Sequence, residues 1–441
     1  MTTTLPFTRT FSAWGPALLT LVLLLTGCSE SRRTQTATGG SATGSTDEIP
    51  ALFERRGQLA QAEEWPRTRG KVDELMQKIR KEPANTKNRL QLAAIFLSEA
   101  RITGEHPYYY PAVLRILDGV LAIDPKNFEA TTYKASVMMS QHRFAEARAL
   151  AEKARQMNPN NAYVYGVLVD ANVELGHYEE AVAMSDKMQQ LKPSLESYSR
   201  ASYLREIYGN YPGAIEAMKL AVQAGLPGSE PFCWSRTTLG YLYETTGKLQ
   251  EAENQYADVL ALRPSYAFAL RGLGRVQKAR KRYDEALFLL DSAARIMPEF
   301  SFHEEMAEIY GLKGNPEQSV KKYGEVVQML QEDARSGHRV DLELCKVYTA
   351  AGRLDSALFY GLREYRVRPR NIDVNRALAW VYYHRHLPEK AQQHMQVALR
   401  TGSKDPELLR QAGAVEVALG HVKEGNRLLA QARKVNPIAV L

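Results

Sequence analysis

Leu239-Gly-Tyr-Leu-Tyr-Glu-Thr-Thr-Gly-Lys-Leu-Gln-Glu-Ala-Glu-Asn-Gln-Tyr-Ala-Asp-Val-Leu-Ala-Leu-Arg-Pro264 is the stretch on which the fold turns. It holds a small residue in an apolar-periodic run (Gly240), then a glycine (Gly247), then a hook ending in alanine (Leu249-Gln-Glu-Ala252), then a proline. Each part has a local physical use. The small residue lets a second helix approach, the glycine supplies a left-handed turn, and the proline stops the second helix. The same spacing recurs along the chain. Prolines stand at 125, 159, 193 and 227, at 264 and 298, and at 369 and 437, in steps of 34 or 68 residues. Hooks recur as Phe144-Ala-Glu-Ala147, Tyr178-Glu-Glu-Ala181, Tyr283-Asp-Glu-Ala286 and Leu354-Asp-Ser-Ala357, with Gly176 and Gly352 ahead of them and Gly209 at the same place in its own unit.

This pattern resembles the tetratricopeptide repeat (TPR), a helix–turn–helix unit of about 34 residues. Leu344-Cys345…Tyr348…Gly352…Ala357…Pro369 follows it closely, with Cys345 in the small-residue slot, and Ala307…Tyr310…Gly314…Ser319 and Leu378-Ala379…Tyr382…Ala391…Ala398 fit as well. The fold expected is all-α, a right-handed TPR superhelix (α-solenoid) of about ten helix pairs. They lie at 87–125, 128–159, 162–193, 195–227, 233–264, 267–298, 300–333, 338–369, 372–403 and 406–437, followed by a tail at 438–441. Four departures stand out. Ile102–Pro111 is an insertion expected to lengthen the turn of the first pair, and Leu226–Phe232 lengthens a later junction. Gln331–Arg339 lacks the stop proline, which leaves one long helix or a slack loop. Residues 51–86 read as capping helices, one over Val72–Lys81 and a further one over Ala51–Trp65.

The first fifty residues differ in kind. Met1–Thr26 carries one basic residue, Arg9, and an apolar run from Ala17 to Leu25 that is too short to span a bilayer and suits a signal-peptide core. It ends in Leu25-Thr26-Gly27-Cys28, which resembles a bacterial lipobox. The resemblance implies that 1–27 is a lipoprotein signal peptide and that Cys28 becomes a lipidated N-terminus with acyl chains (palmitate among them) enough for stable anchoring. Ser29 in place of Asp implies the outer membrane of a Gram-negative envelope. The Ser/Thr/Gly-rich remainder of 28–50 cannot bury enough apolar surface to fold and reads as a flexible tether.

The chain has 441 residues, 44% apolar and 24% charged, with a formal charge of +7. Those figures exclude a multi-span membrane protein and a wholly disordered chain. Three cysteines, Cys28, Cys233 and Cys345, exclude a disulfide framework and a Cys-based structural zinc site. The repeats leave no room for a catalytic domain, and no P-loop, GxGxxG or GxSxG motif occurs, so no enzyme and no cofactor is expected. His384 and His386 read as solvated turn histidines, and His303-Glu304-Glu305 lacks the second histidine of a metalloprotease helix; no metal site is expected.

Function is therefore expected on the concave face, lined by the first helix of each pair. Helical spacing projects Tyr163 and Asp170 there, then Trp234, Tyr241 and Glu244, then Arg271, Arg275 and Lys278 at i, i+4 and i+7. Glu304 and Glu308, Arg339 and Lys346, and Arg376, Trp380 and Tyr383 follow. Tyr163, Trp234, Tyr241, Arg271, Arg275, Lys278, Lys346, Arg376 and Trp380 form the candidate partner-binding groove. Its basic triad suits a protein or peptide partner with acidic groups. A nucleic acid does not fit a chain routed outside the cytoplasm, and no small-molecule substrate is expected. The function so implied is a membrane-anchored protein-binding scaffold of the cell envelope. The alternatives are an accessory to polysaccharide secretion or outer-membrane assembly and a passive spacer. One segment, Ser197–Met218, carries more Tyr and Arg than the pattern needs, and no activity follows from it.

Overall fold

A computed structural model describes residues 49–438, so the expected signal peptide, Cys28 and nearly all of the expected tether lie outside the described residues. The unit that follows Ser45 holds twenty-one α-helices and no strand among those residues. Helix α1 (Glu64–Lys81) precedes ten antiparallel pairs: α2/α3 (Thr86–Thr103, His106–Ile123), α4/α5 (Phe128–Ser140, Phe144–Met157), α6/α7 (Ala162–Leu175, Tyr178–Leu191), α8/α9 (Leu195–Ile207, Tyr211–Ala224), α10/α11 (Glu230–Thr245, Leu249–Leu262), α12/α13 (Ala267–Ala279, Tyr283–Ile296), α14/α15 (Phe300–Leu312, Pro316–Arg335), α16/α17 (Asp341–Ala350, Leu354–Val367), α18/α19 (Ile372–His384, Pro388–Ala398) and α20/α21 (Pro406–Ala418, Val422–Val435). The molecule is an α-solenoid.

Local chemistry sets the helix ends. Asn127, Asn161, Asn371 and Asp405 accept backbone N–H bonds as N-caps of α4, α6, α18 and α20, and Ser194 forms a capping box with Ser197. Within a pair the small residue does what its position requires. A Cβ on Gly240 would come 2.5 Å from the ring of Tyr256, which is fully buried between α10 and α12. The first helices pack directly on one another through most of the stack (α2 on α4, α4 on α6, α6 on α8, α8 on α10, α10 on α12), and no two second helices do so comparably. The first helices therefore form the inner row of a curved stack and the second helices its outer row.

Two expectations about the N-terminal region are corrected. The insertion Ile102–Pro111 does not lengthen a turn. It lengthens the helices: α2 and α3 have 18 residues each and are joined only through Gly104 and Glu105. Tyr108 and Tyr109 of the insertion donate to the carbonyls of Ala51 and Phe53. That contact explains the second correction. Ala51–Arg56 is extended rather than helical, because those carbonyls are held by the tyrosines and Arg55 is buried in an ion pair with Glu99 at 2.7 Å. A short 3-10 turn over Gly57–Gln61 leads into α1. Over Gln331–Arg339 the long-helix alternative holds: α15 runs 20 residues to Arg335 and turns at Gly337.

The stack coils until one turn of the solenoid rests on the next. Contacts between residues 192–199 apart recur along this seam. Arg263 pairs with Glu64, the His142 ring meets the carbonyl of Arg339, Arg368 pairs with Glu174, the Tyr178 hydroxyl accepts from the amide of Ile372, Thr401 donates to the carbonyl of Ile207, and Asn436 donates to that of Glu244. Each turn between the helices of the first five pairs thus meets a junction roughly five to six repeats further on. Gly176 shows how close the approach is. It has φ 77°, and a Cβ on it would lie 2.4 Å from the carbonyl oxygen of Arg370.

Candidate functional site

The inner row presents the projected residues, but their charges are already spent. Arg271 donates to Glu305 at 2.7 Å, Arg275 to Glu244 at 3.0 Å and Lys278 to Glu308 at 2.8 Å. Arg275 also stands 3.7 Å from Glu305 and lies over the ring of Tyr241 at 5.4 Å. Tyr256 completes this knot by donating to Glu244 at 3.0 Å. Arg200 pairs with Asp170 in the same way. These partners lie 30–34 residues apart, one repeat, so the pairs are rungs between adjacent inner helices. The basic triad shares one face as projected, yet it is not a free basic patch, and the inference to an acidic partner loses its basis. Projection along one helix places a side chain but does not see the carboxylate on the next.

Lys346, Arg376 and Trp380 do come together. With Thr349, Asp373 and Gln411 they line a concavity of about 460 Å³ on the inner helices α16, α18 and α20. Trp380 is fixed by a ring stack on Tyr383 at 4.8 Å, by the edge of His384 at 4.6 Å and by Arg410 at 5.3 Å. His384, exposed at the end of α18 where the turn begins, borders this wall, and partial burial lowers its pKa. Arg376 donates to Gln411 at 2.9 Å and pairs with Asp405 at 3.1 Å. Tyr163, 46% exposed, stands apart in another concavity with Met188, Leu191 and Ser194, its hydroxyl 2.9 Å from that of Ser136. Trp234, 44% exposed on α10, lines none of these hollows.

Residues that the projection missed extend the inner wall. Tyr203, Glu206, Tyr211 and Tyr241 of one turn of the coil face Asp373, Arg376, Ser403 and Asp405 of the next around about 210 Å³. Asp373 and Arg376 line both hollows, which makes them neighbouring parts of one surface. The signal for this part was the excess of tyrosine in Ser197–Met218, which contains Tyr203, Glu206 and Tyr211.

His394 and the two described cysteines are accounted for by packing. His394 bonds the Asn375 amide oxygen at 2.8 Å and stacks on Tyr382. Cys233 and Cys345 are buried, which pushes their thiols up to about 11 and about 12, away from the thiolate form that reacts or ligates. Among the described residues no three His, Cys, Asp or Glu gather as a metal site would need.

Two family models described as "Tetratricopeptide repeat" match this chain, over residues 138–201 and 237–299. Among curated proteins, "Cellulose synthase 1 operon protein C" of Komagataeibacter xylinus is 25% identical over 185 residues, which covers 40% of this chain and 14% of that protein. Among solved structures, human IFIT1 in a dimer with PPP-AAAA aligns with a TM-score of 0.49 at 15% identity, covering 75% of this chain and 78% of that one. A thermophilic TPR protein of Thermus thermophilus, TTC0263, aligns at 0.38 and 22% identity, covering 46% of this chain and 99% of that one.

Proposed function

We propose that these tetratricopeptide repeats make the chain a non-enzymatic scaffold that holds an extended partner segment on its inner face at the cell envelope, tethered through a lipidated Cys28. One observation carries the reading. Tyr163, Tyr203, Trp234 and Tyr241 are each 37–46% exposed, and all four stand on inner helices of three consecutive repeats. The core beneath them is complete, with Tyr178, Tyr256, Leu168 and Leu242 fully buried, so these aromatic faces are not spare core. Exposed aromatics spaced along the inner helices supply contact area at low entropic cost, as peptide-binding surfaces require. The tether rests on the order of charge, apolar run, small residues and Cys28 in the sequence. No described helix is long and apolar enough to cross a membrane.

Photo-cross-linking in cells tests the scaffold. A benzophenone side chain at Trp234 or Tyr241 is expected to give a discrete protein adduct, and one at Phe288 or Phe359 on outer helices to give none. Adducts from the outer positions alone would overturn the reading. Cys28→Ala is expected to move the chain out of the membrane fraction; retention there would remove the lipid tether. A second reading has support from the likeness to a cellulose synthase operon protein: the aromatic row would then carry a glycan chain, and retention of the protein on an insoluble glucan through Trp234 would favour it.

A further inference from the structure

The recess between Tyr203, Glu206, Tyr211 and Tyr241 and the adjoining turn of the coil has a charge balance opposite to that read from the sequence. Its one cation among the described residues, Arg376, is committed to Asp405 and Gln411. Asp405 is further engaged as the cap of α20, accepting from Leu408 at 2.6 Å. Glu206 and Asp373 face the same space with no cation of the described residues within ion-pairing distance. The crowding is strong enough that burial, with Asp405 and Asp373 nearby, pushes the Glu206 carboxyl up to about 7.

A second, independent observation points the same way. Tyr211 is 4% exposed, and its hydroxyl has no hydrogen-bond partner among the described residues. It lines the recess, and its hydroxyl feels the charges of Asp405, Glu206 and Arg376. Buried hydroxyls are nearly always bonded, so one without a partner in a residue that lines a hollow marks a place for a ligand atom. Unbalanced carboxylates and an unfilled oxygen acceptor are satisfied together by a group that is cationic and rich in N–H donors. The ring of Tyr203, 40% exposed, borders the same space. At about 210 Å³ the hollow is smaller than the roughly 300–1,000 Å³ typical of small-ligand sites and suits one side-chain head.

We propose that this recess receives the ammonium or guanidinium of a Lys or Arg side chain on the segment that lies along the inner face. This rests on the scaffold reading and adds to it the chemistry of the partner, which is basic at this point.

The test uses the full chain and three probes: a fluorescent octapeptide alternating serine and lysine, its counterpart alternating serine and glutamate, and cellohexaose. The lysine peptide is expected to bind and to weaken as salt is raised. The pair Glu206→Gln with Asp373→Asn should cost it at least about tenfold in affinity. Tyr211→Phe, which removes only the unpartnered hydroxyl and leaves the fold in place, should cost it a few-fold. Glu317→Gln on the outer row should cost nothing. Equal binding of the glutamate peptide, or lysine-peptide binding unchanged in the folded double variant, would overturn the assignment. So would cellohexaose binding that Tyr211→Phe abolishes, which would give the recess to a glycan. The two readings fail separately: an adduct at Trp234 that survives the double variant unchanged leaves the scaffold standing and removes the recess from it.

Discussion

Lys281 turns the chain between α12 and α13 at φ 61°, in the left-handed region where equivalent turns hold Gly176, Gly247 and Gly352. Its side chain is exposed and gains no burial that would offset the strain. Lys281→Gly is therefore expected to stabilise the protein by about 1 kcal/mol, seen as a raised denaturation midpoint. Glu206 carries a different cost. Its folded pKa of about 7 lies above the ordinary 4.5, so between those values the folded state holds the proton more tightly than the unfolded one. Stability from this group is full below about pH 4.5 and declines as pH rises to about 7. Glu206→Gln lacks that decline. The variant should gain on the wild type between about pH 5 and pH 8, on the order of 1–2 kcal/mol after allowance for the water that reaches the inner face. A constant difference across that range in melts at matched salt would show that Glu206 titrates normally.

At the scale of elements, the pairs and their junctions were legible because what defines them is local. Gly240 under Tyr256, the caps at Asn161 and Asn371, and the prolines all act within one repeat or the next. The seam was not legible. Arg368 meets Glu174 across 194 residues only because small rotations between successive repeats sum to a full turn, and no residue encodes that sum. The ion-pair rungs were hidden for a related reason: Arg275 and Glu244 each look solvated until two helices are set side by side. The extended Ala51–Arg56 likewise owes its form to Glu99, Tyr108 and Tyr109, all more than forty residues away. Arg368 is the most exacting point on the seam. It is 3% exposed, pairs with Glu364 and Glu174, and lies 4.6 Å over the ring of Phe144. Arg368→Ala leaves Glu364 buried without a partner and should cost about 3–5 kcal/mol by denaturant titration. A loss below about 1 kcal/mol would mean that the carboxylate finds water.

For the whole molecule, the seam makes the solenoid a closed coil rather than an open spring. Its contacts are mostly polar, with single apolar side chains such as Ile372 and Val435 packed across it, whereas each pair buries many apolar side chains against its neighbours. The seam should therefore part before the stack melts. Asn371→Ala removes both the cap of α18 and the bonds to the carbonyls of Glu174 and Val173. Combined with Thr401→Val, it is expected to raise the radius of gyration in small-angle scattering while helical circular dichroism is kept. Unchanged scattering would show that the coil is held by stacking alone.

A coil shut along its length behaves towards a long chain as a ring does towards a rope. A loop between two folded domains can reach its inner face only when the ring is sprung. Capture of such a loop would then proceed at a rate that levels off as its concentration rises, at the frequency with which the seam springs open. Its release would wait on the same event, giving long residence without any need for tight individual contacts.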